Sequence, residues 1–111
     1  MAKKNMLFQN APFALENALV TLGANLRLAR KRRGLSAQKV ADKLGIGVRS
    51  VMDAEKGKPT TAVSTYMGLL WAYDLLGDIK SVADPMKDTE GLRLLAAREK
   101  RTIKPELDND F

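Results

Sequence analysis

Within residues 34–57, GLSAQKVADKLGIGVRSVMDAEKG, four side chains fall on one face of a short helical pattern: Val48, Arg49, Met52 and Asp53. Val51 and Ala54 lie on the opposite face, as a spacing of three and four residues requires. A guanidinium, a carboxylate and two apolar groups on one exposed face make a surface for recognition and not for bond-making. The chain has no histidine and no cysteine. That removes zinc fingers, disulfide frameworks, Ser-His and Cys-His nucleophilic pairs and nearly all His- or Cys-based metal sites. Thirteen carboxylates remain, enough in principle for glycoside hydrolysis or a magnesium site. No pair of them stands in an apolar setting, and a chain of 111 residues has little room for a substrate cleft. The expectation is a protein that is not an enzyme and needs no cofactor or metal.

The charges point to the kind of partner. The chain carries a formal +6, unevenly spread. Through Lys58, twelve Lys or Arg stand against four acids, a surplus of eight; beyond it seven stand against nine, a deficit of two. A basic first half favours a polyanion, and a mildly acidic second half suits another task. The longest apolar stretch, residues 67–73, is far too short to span a bilayer. The start, MAKKNMLFQNAPF, meets Gln9 and Asn10 before a hydrophobic region forms, unlike a secretory signal. Absence of cysteine suits a reducing compartment, so a cytoplasmic protein with no membrane contact is expected.

The elements that must hold these residues are helical throughout. Residues 1–10 carry no periodic pattern and are expected to form a flexible arm. Pro12 suits a helix start. After it Leu15, Leu19, Leu22, Leu26 and Ala29 recur at helical spacing, up to Gly34, with Gly23 as a possible break. Ser36 caps a second helix that turns Val40, Ala41 and Leu44 inward and ends at Gly45. A third spans about 47–56 and a fourth 61–75, the latter offering Val63, Tyr66, Met67, Leu70 and Trp71 to the core. A short fifth, about 77–83, adds Ile79 and Val82. Asp84-Pro85 precedes a last helix, about 88–100, with Leu92, Leu95 and Ala96 on one face and charges placed as the helix dipole prefers. The tail KPELDNDF has little to bury and is expected to be disordered alone. Two short helices joined by a glycine turn in a basic all-α domain make a helix-turn-helix.

On Arg30, Gly34-Leu35-Ser36, Val40-Ala41, Leu44-Gly45-Ile46, Val51 and Glu55-Lys56-Gly57 the chain resembles the Cro/repressor-type (Xre-type) DNA-binding domains. The resemblance covers roughly residues 20–76 and implies a lambda-repressor-like five-helix domain, residues 11–83, that binds double-stranded operator DNA. It assigns base reading to Val48, Arg49, Met52 and Asp53. Arg49 can bind guanine O6 and N7 with two bonds, Val48 can meet a thymine methyl, and Asp53 can accept from cytosine N4 or orient Arg49. Phosphates are expected at the first turn of the second helix, around Ser36 and Gln38. By resemblance Arg30, Lys56 and Lys58 border the same surface. Arg30 and Glu55 are alternatively a partly buried ion pair, as in many family members. Ala37 departs from the pattern, which usually has glutamine after the cap. The run RKRR, residues 30–33, is read as part phosphate-facing and part solvated helix end.

The remainder, residues 84–111, is not needed for that domain. Joined to an Xre-type unit and to STYMGLLWAYDLLGDI, the segment GDIKSVADPMKDTEGLRLLAAREKRTI resembles HipB-like antitoxins. This implies a homodimer that represses its own operon and binds a HipA-like kinase toxin, with Leu92, Leu95 and Phe111 as partner or dimer contacts. The alternatives are a phage-type or housekeeping repressor with no toxin partner, and a protein-interaction adaptor that no longer reads DNA.

Overall fold

The computed structural model describes residues 5–102. All regular structure among them is helical, in the order α1 (Met6–Gln9), α2 (Phe13–Arg32), α3 (Ala37–Leu44), α4 (Val48–Glu55), α5 (Val63–Ala72), a 3-10 turn (Leu76–Ser81) and α6 (Thr89–Thr102). The chain divides into two compact units, Met1–Gly77 and Asp78–Phe111. That division falls ahead of the Asp84 boundary read from the sequence. Its reason is that Ile79 and Val82 do not extend the core: the 3-10 turn buries no residue, and Val82 is 68% exposed.

In the first unit, Leu26 from α2, Val40 from α3, Val51 from α4, and Leu69 and Tyr73 from α5 and its end are fully buried. Each such side chain contributes roughly 1.5–3 kcal/mol through loss of water contact. Gly23 does not interrupt α2, which is continuous across it. A Cβ at this position would stand 2.6 Å from the Ala54 carbonyl oxygen, 2.7 Å from that of Glu55 and 2.8 Å from the Gly57 nitrogen. The glycine therefore sets how closely α4 lies on α2.

Two expectations are corrected here. The arm includes a helical turn: Asn5 Oδ1 accepts from the Leu7 amide at 3.0 Å and starts α1. Leu7 and Phe8 border a cavity of about 310 Å³ with Leu19 and Val20 of α2 and residues 56–59. Leu7 and Phe8 stay about half exposed there, and a single turn is too short to show a period; residues 1–4 lie outside the described residues. The second correction concerns α5, whose buried side chains are Thr65, Tyr66, Leu69 and Leu70, while Val63 and Trp71 are 68% and 60% exposed. This helix is apolar all round, so periodicity had no contrast from which to choose a face.

In the second unit, Asp88 Oδ1 accepts from the Gly91 amide at 2.9 Å and Glu90 pairs with Arg93 on the exposed surface of α6. Leu92 and Leu95 stand 51% and 42% exposed. Phe111 and the tail, 103–111, lie outside the described residues.

Candidate functional site

The site is built on α3 and α4. Ser36 Oγ accepts from the Lys39 amide at 3.1 Å and fixes the start of α3. The amides just before Lys39 have no acceptor within the helix and form its donor end. Ala37 is the first residue of α3 and its methyl group supplies no polar atom there. The next side chain, Gln38, is held along the helix, its Nε2 donating to Asp42 Oδ1 at 2.9 Å.

α3 ends at Gly45, whose φ of 69° is the left-handed conformation that glycine adopts without strain. The Ile46 amide reaches back to the Ala41 carbonyl and the Gly45 amide to that of Asp42, at 3.0 and 3.2 Å. This pair of bonds closes a helix and reverses the chain. The same pair closes α2 at Gly34, α4 at Gly57 and α5 at Asp74. Only residues 45–47 separate α3 from α4, so the angle between the helices is set by the turn and by Val40, Ala41, Val51 and Ala54 beneath it, all buried.

α4 presents the four residues singled out by spacing. Val48 is half-buried, Met52 is 43% exposed, and the Arg49 side chain is 83% exposed. Asp53 is the anchor of the group. Its Oδ1 lies 3.8 Å from Arg49 Nε and 3.3 Å from Lys58 Nζ, and its carbonyl accepts from the Lys58 amide at 3.1 Å. One carboxylate oxygen thus draws in two cations from opposite ends of α4. Lys56, which closes the helix, is exposed. Behind Lys58, the Tyr66 hydroxyl donates to the Lys58 carbonyl at 2.9 Å and holds the loop that follows α4. Burial raises the Tyr66 pKa above its ordinary value of 10.0, and the nearby Asp53 charge adds to the rise.

Arg30 stands apart from this surface. Nε and Nη2 bond the two oxygens of Glu55 at 2.7 and 3.0 Å, and Nη1 donates to the Leu35 carbonyl at 2.9 Å. With side chains only 12% and 6% exposed, the pair ties α2 to the last turn of α4. The Glu55 bond raises the Arg30 pKa against the cost of burial. All three guanidinium nitrogens are engaged inside the protein, so the expectation that Arg30 also meets a phosphate is not supported.

Sequence reasoning missed Arg33. Its Nη1 donates to the Ala29 carbonyl and its Nη2 to that of Tyr73, both at 2.9 Å, and the guanidinium lies 5.6 Å from the Tyr73 ring centre. No local signal joins residues forty positions apart. Gly23 had one, being a glycine in the interior of a long helix with no turn to make. The Tyr73 ring is buried and its hydroxyl finds no hydrogen-bond partner among the described residues. Burial, then the Glu55 charge, raises its pKa above 10.0, and Arg30 and Arg33 pull it back.

Among the described residues no cluster of His, Cys, Asp and Glu could hold a metal ion, and no helix is long and apolar enough to cross a membrane. No family model matches the chain, and no solved structure matches it.

Proposed function

We propose that the protein binds double-stranded DNA sequence-selectively and acts as a transcriptional repressor, with α3 and α4 as a helix-turn-helix and α4 in the major groove. The observation that carries the reading is the α3–α4 pair itself. Two eight-residue helices are held at a fixed angle by a three-residue turn, and the second turns Val51 and Ala54 inward and Arg49 and Met52 outward. Helices this short are marginal alone, and their mutual geometry is what a groove reader needs. In this reading α2 to α5 stand for four of the five helices of a Cro/repressor-type domain, by the resemblance given above.

The roles follow from position. Arg49 reaches a guanine edge, Val48 and Met52 make apolar contacts with base edges, and Asp53 orients Arg49. The first turn of α3, with Ser36 and Gln38, takes one phosphate; Lys56 and Lys58 take others. The basic first half supplies the long-range attraction. The narrower proposal, an autoregulating HipB-like antitoxin in the cytoplasm whose α6 stripe of Leu92 and Leu95 meets a HipA-like kinase, rests on resemblance. A kinase-like reading frame beside the gene is the expected finding for it.

The test of DNA binding is a fluorescence titration of the chain on its own promoter against a scrambled duplex of equal length. Selective binding that weakens steeply with added salt is expected, with the logarithm of affinity falling about 0.9 per phosphate neutralised for each tenfold rise in salt. Equal affinity for both duplexes, or no salt dependence, would overturn the reading.

A further inference from the structure

α3 and the end of α5 border a cleft of about 270 Å³ lined by Leu35, Lys39, Val40, Lys43 and Ala72. Val40 is fully buried and lies at its base, Leu35 and Ala72 are half-buried, and the two lysines are exposed. Its walls are held from behind. Arg30 Nη1 bonds the Leu35 carbonyl at 2.9 Å, and Arg33 Nη2 bonds the Tyr73 carbonyl, next to Ala72, at 2.9 Å. The Ser36 cap fixes the Lys39 amide at 3.1 Å. A preformed cleft spares a ligand the cost of ordering it.

The charges at this cleft have one sign. Lys39 and Lys43 stand one helical turn apart, and like charges so placed repel each other. Neither has an acid at ion-pairing distance among the described residues. Asp42, between them in sequence, holds the Gln38 amide instead. The cavity beside α1 differs, because Glu16 joins Lys56 and Lys58 in its lining. A cleft at Leu44, Ile46 and Gly68 has no charged lining at all.

We infer that the cleft on α3 binds a small amphipathic anion, a carboxylate with a medium-chain or single-ring apolar body. The carboxylate sits at Lys39 and Lys43 and relieves their repulsion, while the apolar body covers Leu35, Val40 and Ala72. A cation of the same shape is repelled, and a neutral molecule leaves the repulsion in place. At roughly 30 Å³ for each water-sized unit, the space holds about nine non-hydrogen atoms. Octanoate fits that size, and acetate leaves most of the apolar wall wet. For so few atoms the expected dissociation constant is on the order of 0.1–1 mM. The site is independent of the function proposed above, and no duplex enters its test.

Amide chemical-shift titration of the full, isotopically labelled chain with octanoate tests it, with acetate and octylamine as controls. Saturating shifts confined to the surroundings of Leu35, Lys39, Lys43 and Ala72 are expected for octanoate alone. Lys39→Gln and Lys43→Gln should each weaken binding about threefold, and both together about tenfold. Ala72→Leu puts a good helix former at the end of α5 and fills the cleft, so the octanoate shifts should vanish. The amide spectrum itself checks that each variant folds. Should Ala72→Leu fail to fold, the lysine variants, both at exposed positions, still decide. Shifts that never saturate, acetate or octylamine binding as tightly as octanoate, or affinity unchanged in the double lysine variant or in Ala72→Leu would each overturn the inference. Saturating binding of a peptide of alternating Asp and Leu, without binding of octanoate, would make the cleft a protein-docking site and overturn it as well.

Discussion

Arg30 grips Glu55 with two parallel bonds, 2.7 and 3.0 Å long, across the junction of α2 and the end of α4. The pair is nearly closed to solvent, and Leu35 supplies the third acceptor. Replacing Glu55 by Ala leaves a guanidinium with one internal bond and no counter-charge. The expected loss is about 3–5 kcal/mol, the range for breaking one side of a buried pair. Urea denaturation measures it; an unchanged midpoint would show that Arg30 escapes to water at no cost.

Gly23→Ala is a second test of how α2 and α4 meet. In an exposed helix the change would stabilise by up to about 1 kcal/mol. Here the new methyl would meet three backbone atoms between 2.6 and 2.8 Å away, none of which belongs to a flexible side chain. The helices must separate, and a net loss of about 1–3 kcal/mol is expected. Thermal unfolding of the variant gives the sign directly.

Arg49 and Lys56 should divide selectivity from general affinity if α4 enters the groove. Arg49→Ala is expected to cost about 1–3 kcal/mol on the cognate duplex and much less on a scrambled one. Lys56→Ala should weaken both alike. Competition titrations separate these outcomes, and equal losses for Arg49→Ala would place that side chain on a phosphate.

High pH should destabilise the fold through the tyrosines. Tyr66 and Tyr73 are the only two in the chain, and both have pKa values raised by burial above 10.0. The folded protein then holds protons that the unfolded chain gives up first. The stabilisation is complete below pH 10 and declines as pH rises from there through the folded-state values. Phenolate absorbance should titrate above 10 in the native protein and return to about 10 in denaturant. Coincident curves would refute it.

The all-helical class and the positions of α2, α3, α4 and α6 were legible because their signals are local. Ser36, Gly34, Gly45 and Gly57 mark ends within a residue or two, and α3 shows strong contrast between buried Val40 and Ala41 and exposed Lys39, Asp42 and Lys43. The face of α5 was not legible, since a helix apolar on every side gives no phase. Nor was α1, a single turn too short to show a period. At the candidate site, spacing alone gave the shared face of Val48, Arg49, Met52 and Asp53. It could not give the convergence of Arg49 and Lys58 on one oxygen of Asp53, or the path of Arg33 to Tyr73, which depend on how distant segments cross.

The run at residues 30–33 looks like four equal cations in the sequence, and the fold makes them unequal. Arg30 largely vanishes from the field felt at a distance, because its counter-charge sits in direct contact. Arg33 still radiates a positive charge, but its fork is tethered to two carbonyls and cannot swing toward an approaching anion. Lys31 and Arg32 are exposed and can track a moving polyelectrolyte. A polyanion arriving from solution therefore meets three charges, and only two of them on mobile arms.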